Sequence, residues 1–94
     1  MRTFVVECYW PGMIELEARA TLDRVVRLGA EALPGQSVRL LGCIVLPSDG
    51  MALFLFNAPS EAVVKHIGGL AELPFDRVVE SVLVGFGQQP RLGR

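Results

Sequence analysis

The sequence has little of several residues on which protein chemistry often depends. Its 94 residues include one histidine, one tryptophan, one tyrosine and two cysteines, and a single lysine stands beside eight arginines. It contains no CxxC pair and no cysteine and histidine cluster with zinc-site spacing. The motifs GxSxG, HExxH, GxxxxGKS/T and GxGxxG are missing too. Classical nucleophilic catalysis and binding through a phosphate loop are therefore not expected.

Long apolar runs and clustered positive charge are also missing. The longest apolar runs, 40–46 and 51–56, fall well short of the ~20 residues of a membrane-spanning helix. The formal net charge is −1 and no basic block occurs, so neither nucleic acid nor a membrane is an expected partner. Glu7 interrupts the first apolar segment before a signal-peptide core can form, which predicts a cytoplasmic protein.

The apolar content is high for a chain of this length. Hydrophobic residues make up 51% and charged residues 20%, against usual values of about 45–50% and about 25%. The length predicts one domain, which we place at residues 1–86, followed by a flexible tail at 87–94. Cys8 and Cys43 lie in apolar, strand-like runs, which predicts buried, reduced thiols.

Apolar spacing and the positions of proline and glycine predict six elements. Residues 3–10 and 75–86 are predicted strands, and residues 17–33 form a helix that Pro34 ends. The runs 38–46 and 51–57 form a hairpin, whose turn has positive φ angles at Asp49 and Gly50. Ser60 is the predicted N-cap of a second helix. The resulting order is βαββαβ.

This order predicts an α+β, ferredoxin-like sandwich. Its four-stranded antiparallel sheet has the order 4-1-3-2, with both helices on one face. The other face of such a sheet is normally polar. The strand at 38–46 instead alternates two apolar sets: Leu40, Ile44 and Leu46 on one face, and Leu41, Cys43 and Val45 on the other. We therefore expect a homodimer that packs sheet against sheet, and the alternative is a monomer whose C-terminal tail covers this face.

Charged residues inside the apolar strands are the candidate ligand contacts. Strand alternation places Glu7 and Tyr9 on the same face, opposite the more apolar set, so both should face the cavity of the dimer. Glu80 and Arg39 are also embedded in strands, and Arg39 could pair with either acid. The predicted ligand site therefore comprises Glu7, Tyr9, Arg39 and Glu80. A buried ion pair that fixes strand register or the dimer interface is the structural alternative.

His66 and Cys43 are the candidate metal ligands. His66 is the only histidine and falls near the edge of the polar face of the second helix, where a solvated surface residue is the other interpretation. Imidazole suits zinc, copper and nickel. One histidine per chain builds a metal site only if two subunits or a carboxylate contribute.

Three stretches carry a family resemblance. They are Phe4-Val5-Val6-Glu7 with Pro11-Gly12, the segment 49–62 with Asn57-Ala58-Pro59-Ser60-Glu61-Ala62, and the segment 69–80 with Leu73-Pro74-Phe75-Asp76-Arg77. Over residues 3–84 the chain resembles a family of small bacterial ferredoxin-like proteins of unknown general function that includes a nickel-binding, nickel-responsive member. The resemblance implies the same domain, dimerisation and a divalent metal such as nickel. Glu7 matches the glutamate of the family's opening strand, and His66 lies in the helix where relatives often carry a histidine.

We therefore expect a cytoplasmic, non-enzymatic homodimer that binds a metal ion or a small ligand. The alternative is a cofactor-independent enzyme similar to dimeric α+β barrel monooxygenases or isomerases. In that enzyme the cavity would desolvate the substrate, and Glu7 would act as the general base. A structural or interaction module is a third interpretation.

Overall fold

The computed structural model describes residues 2–32, 35, 37–87, 89 and 91–93. Its strands are β1 (Arg2–Tyr9), β2 (Arg39–Leu46), β3 (Met51–Ala58) and β4 (Phe75–Ser81), and its helices are α1 (Glu15–Ala32) and α2 (Glu61–Leu70). The strands form one antiparallel sheet with the order β2-β3-β1-β4. This βαββαβ fold and its strand order confirm the prediction.

The hydrophobic core lies between the two helices and one face of the sheet. On β1, alternate residues Phe4, Val6 and Cys8 are fully buried, as the prediction for this strand requires. Val25 of α1 and Ile67 of α2 belong to the same core. We call this side of the sheet the helix face, and the opposite side the outer face.

Local hydrogen bonds define the helix ends. Ser60 Oγ accepts a hydrogen bond from Val63 N at 3.3 Å, which confirms the predicted N-cap of α2. α1 begins two residues earlier than predicted, where Glu17 Oε1 accepts a hydrogen bond from Ile14 N at 3.1 Å. The predicted end of α1 at Leu33 lies outside the described residues. No helix in the described part of the chain is long and apolar enough to cross a membrane.

A bulge in β2 exchanges the faces of this strand. The register with β3 shifts between Leu40 and Gly42, and Gly42 has a φ of 155°, which favours glycine. The prediction that Leu40 shares a face with Ile44 and Leu46 is therefore wrong, because a simple alternation does not account for an extra residue. Leu40, Cys43 and Val45 lie on the helix face, and Ile44 and Leu46 lie on the outer face.

The β2–β3 turn and the end of β4 also differ from the prediction. The turn is a short 3-10 helix, Pro47–Asp49, followed by Gly50. Gly50 has a positive φ, of 63°, whereas Asp49 does not. β4 ends at Ser81 instead of residue 86. Ser81 lies opposite Thr3, next to the first residue of β1, Arg2. We call residues 82–87, which follow β4, the C-terminal arm.

Candidate functional site

The outer face presents a mixed row of side chains at the middle of the sheet. The register of the four strands places Glu7 and Arg77 side by side in this row, next to Leu53 and Ile44. The rows on either side of it are apolar: one consists of Gly42, Leu55, Val5 and Val79, and the other of Leu46, Met51 and Tyr9. The row at the end of the sheet, next to Val5, is polar and consists of Arg39, Asn57, Thr3 and Ser81. The pair formed by Glu7 on the inner strand β1 and Arg77 on the edge strand β4 thus lies between two rows of mostly apolar side chains.

Glu7 forms an ion pair with Arg77. The Nε–H group of Arg77 donates a hydrogen bond to Glu7 Oε1 at 2.8 Å, across the two adjacent strands β1 and β4. The side chain of Glu7 is 25% exposed and that of Arg77 is 68% exposed. This hydrogen bond, together with the negative charge of Glu7, raises the pKa of Arg77. Arg77 is therefore fixed at one end by a half-buried carboxylate.

The terminal nitrogens of Arg77 are the chemically informative part of this pair. A guanidinium group carries five N–H donors. In the part of the chain that the structure describes, the Nε–H group of Arg77 is the donor that Glu7 engages. The two terminal nitrogens have the geometry that binds a carboxylate or a phosphate through two parallel hydrogen bonds. The site can thus accept an anionic group while Glu7 holds the arginine.

Apolar side chains around this pair are exposed. Tyr9 is 59% exposed and Ile44 is 43% exposed, although both lie within strands. Leu53 and Val5, which flank Glu7 on its own face, are half-buried. Tyr9 lies on the same face as Glu7, as predicted from alternation. The surroundings of the ion pair therefore offer contact area to an apolar group.

Arg77 was not among the residues singled out from the sequence. It directly follows Asp76, and two consecutive charges at the start of a strand are typical of a solvated strand end. Only the register of β4 against β1, which places Arg77 opposite Glu7, reveals its role. That register depends on a shift between Glu7 and Cys8, which alternation alone does not contain.

Arg39 does not pair with either glutamate. It is exposed at the end of the outer face, opposite Asn57, whereas Glu7 lies two rows away. In the part of the chain that the structure describes, the ion pairs of Glu7 and Glu80 are made with Arg77 and Arg2. The expectation that Arg39 pairs with one of these acids is therefore wrong.

Glu80 lies on the other side of the sheet from Glu7. It is opposite Phe4, a residue of the helix face, and its two carboxylate oxygens accept hydrogen bonds from Arg2 at 3.0 and 2.8 Å. The hydrogen bonds from Arg2 lower the pKa of Glu80. The sequence-based grouping of Glu80 with Glu7 and Tyr9 in one cavity is wrong. Glu80 lies three positions after Arg77, and an odd separation along a strand places two side chains on opposite faces.

The candidate metal ligands belong to different parts of the molecule. His66 is exposed on α2, whereas Cys43 packs against the core on the helix face of β2. Burial raises the pKa of the Cys43 thiol, and the thiolate is the form that binds metals. Within the described residues, no group of three or more His, Cys, Asp or Glu side chains could hold a metal ion. The donor set of a single chain, as described, does not fit a metal centre.

Glu7 does not line any of three cavities that lie beside the described strands. One of about 690 Å³ lies between α1 and β2, and one of about 230 Å³ lies beside Trp10 and Met13. The third, of about 480 Å³, lies on the outer face between the C-terminal arm and β2, with Gly42 and Leu55 among its lining residues. The enzyme alternative, in which Glu7 is a general base, would need a cavity at Glu7, and these three do not provide it.

Comparison with known proteins identifies the fold. Neither the protein-family models nor the curated proteins give a match. Among solved structures, the chain is similar to SCO4226 from Streptomyces coelicolor A3(2), with a TM-score of 0.74 and 16% sequence identity. The alignment covers 86% of this chain and 96% of that protein. At this identity the similarity shows a shared ferredoxin-like α+β fold.

Proposed function

We propose that this chain is a homodimeric binding protein for a small molecule that combines an apolar body with a carboxylate. Two copies pack with their outer faces together, and the ligand lies between the two sheets. The observation that supports this proposal is the ion pair of the exposed Arg77 with the half-buried Glu7, beside exposed apolar side chains on the outer face.

The apolar outer face supports the homodimer. Exposed apolar surface of more than a few hundred Å² is uncommon on soluble monomers and marks an interaction site. Two sheets pack face to face at a spacing of about 10 Å, and a two-fold axis is the commonest arrangement of identical chains. Tyr9 and Ile44, which are exposed in the single chain, would lie inside such a contact.

The arrangement of charge supports the ligand class. When two sheets pack together, an ion pair between them loses water, and this loss is offset only if the remaining hydrogen-bonding groups find partners. The terminal nitrogens of Arg77 would find them in a carboxylate. The apolar body of the ligand would contact side chains such as Leu53 and Tyr9. Glu7 orients the arginine, which is a binding role and not that of a base.

Thermal denaturation with matched ligands tests this proposal. Octanoate, which carries a carboxylate, is compared with octan-1-ol, which has the same chain length without the charge. A ligand that binds only the native state raises the melting temperature as its concentration rises. We expect octanoate to raise it more than octan-1-ol does, and Arg77→Gln to remove this difference.

Arg2→Gln is the matched control. Arg2, like Arg77, forms an ion pair with a strand glutamate at 2.8 Å, but it lies on the other side of the sheet. Its substitution should leave the response to octanoate unchanged. An equal loss of response in both variants would contradict a site at Arg77.

Nickel chloride alone tests the expectation that comes from the family resemblance. The candidate ligands are His66 and Cys43, which lie in different parts of the single chain, so a nickel site would need ligands from a second copy. If Ni²⁺ raises the melting temperature, EDTA reverses the rise, His66→Ala removes it and octanoate has no effect, the protein binds a metal and the carboxylate proposal is wrong.

A further inference from the structure

The C-terminal arm crosses the outer face of its own sheet. It begins after Ser81 on the edge strand β4, and its residues Leu83, Phe86 and Gly87 line the 480 Å³ cavity together with residues of β2 and β3. Leu55 of β3 is only 7% exposed, although it lies on the face that the helices do not cover. Leu55 and the arm line the same cavity.

The arm has one side against the sheet and one side in solvent. Leu83 is half-buried, whereas its neighbours Val82 and Val84 are 84% and 82% exposed. In an extended segment, successive side chains point in opposite directions. Val82 and Val84 therefore form an apolar surface on the solvent side of the arm, and Phe86, which lines the cavity, is still 65% exposed.

We propose that the C-terminal arm is a dimerisation element whose exposed side chains Val82, Val84 and Phe86 pack against a second copy of this chain. The site that receives them is the cavity on the outer face of the second copy. This proposal rests on the homodimer proposed above and adds the segment that determines its strength.

The charge distribution favours a second copy over a different partner. The arm, residues 82–87, contains no charged residue, and the charges at the centre of the outer face are a pair of opposite sign, Glu7 and Arg77. A surface without net charge meets its own copy without repulsion, whereas a partner chosen by charge would need an excess of one sign.

The shape of the cavity favours the same partner. Its lining residues on β2 include Gly42, above which a side-chain carbon would meet nothing within 4 Å. The missing side chain leaves a depression bordered by Leu41 and Ile44. An apolar depression and an apolar projection therefore occur on the same face of the chain, which a two-fold contact requires.

The experiment compares dimer dissociation constants by sedimentation equilibrium. The double variant Val82→Asp/Val84→Asp changes only exposed positions and leaves Leu83, which lines the cavity, unchanged. Leu92→Asp is the control, because Leu92 is a 96% exposed apolar residue in the C-terminal segment outside the arm. We expect the double variant to raise the dissociation constant at least tenfold and the control to change it less than twofold.

The results separate this inference from the homodimer itself. If the full chain is a dimer and the double variant dissociates no more readily, the arm proposal is wrong and the homodimer stands. If the full chain sediments at its monomer mass of 10.2 kDa, both proposals fail. If the double variant loses its folded circular dichroism spectrum, the arm supports the fold of its own chain, which also contradicts the proposal.

Discussion

At the residue scale, two glutamates show how position determines what an ion pair can do. Glu7 and Glu80 each lie in a strand, and each binds an arginine at 2.8 Å. Glu80 is 52% exposed at the sheet edge, and such surface pairs contribute little to stability. Glu7 is 25% exposed and lies at the centre of the outer face, where a second sheet would remove it from water. This difference in position is why the proposed ligand site is at Glu7 and Arg77.

Cys8 gives the protein a pH-dependent stability. It is fully buried on the helix face of β1, and burial raises the pKa of its thiol from 9.0 to about 12, with smaller effects of Cys43 and Asp76. Above pH 9 the unfolded chain releases this proton, while the folded chain keeps it. The free energy of unfolding should therefore be unaffected by this group below pH 9 and fall between pH 9 and about 12.

Urea denaturation of the wild type and Cys8→Ala at several pH values measures this effect. Removing a buried side chain destabilises the variant at all pH values, so the wild type should be the more stable protein at about pH 8. We expect the difference to shrink towards about pH 11, since only the wild type carries the buried thiol. A difference that is constant over this range would contradict the prediction.

At the element scale, the sequence predicts the number, order and type of the elements and not the local irregularities. Regular spacing of apolar residues is enough to identify six elements and the residues of β1 that face the core. The extra residue at Leu41, the register shift after Glu7 and the early end of β4 depend on how strands pair. These irregularities determine which side chains meet. The bulge at Leu41 explains why Leu40 is predicted on the wrong face, and the pairing of β4 with β1 determines the positions of Arg77 and Glu80.

The contact between α2 and β4 leads to a prediction that compares two adjacent glycines. A side-chain carbon at Gly68 would lie 3.0 and 3.1 Å from atoms of the Phe75 ring, whereas one at Gly69 would meet nothing within 4 Å. Alanine is favoured over glycine in a helix by about 0.8–1.0 kcal/mol. We expect Gly69→Ala to raise the free energy of unfolding by about this amount.

Gly68→Ala should lack this gain, because crowding in a packed core costs about 1–3 kcal/mol. Urea denaturation at one protein concentration should therefore find Gly68→Ala at least ~1 kcal/mol less stable than Gly69→Ala. Equal stabilisation of both variants would mean that α2 does not pack closely on Phe75.

At the scale of the whole molecule, the question is where the apolar surplus of the composition lies. Half of the chain is apolar, yet exposed apolar residues remain on the outer face and on the C-terminal arm, among them Tyr9, Ile44, Val82, Val84 and Phe86. The arm lines a cavity on the outer face and adds exposed apolar surface of its own. The monomer alternative leaves this surface in solvent, whereas the homodimer buries it against a second copy.

The melting temperature as a function of protein concentration distinguishes them. If two chains unfold together, dissociation accompanies unfolding, and the melting temperature rises with concentration. With an unfolding enthalpy of about 0.7 kcal/mol per residue, two such chains absorb ~130 kcal/mol, which corresponds to a rise of ~8 °C over a hundredfold range of concentration. Ile44→Asp places a charge on the outer face and should remove this dependence. Val26→Asp, at an exposed position of α1, should retain it. A wild-type melting temperature that does not change over this range would show that unfolding is not coupled to dissociation. The homodimer would then have to be abandoned.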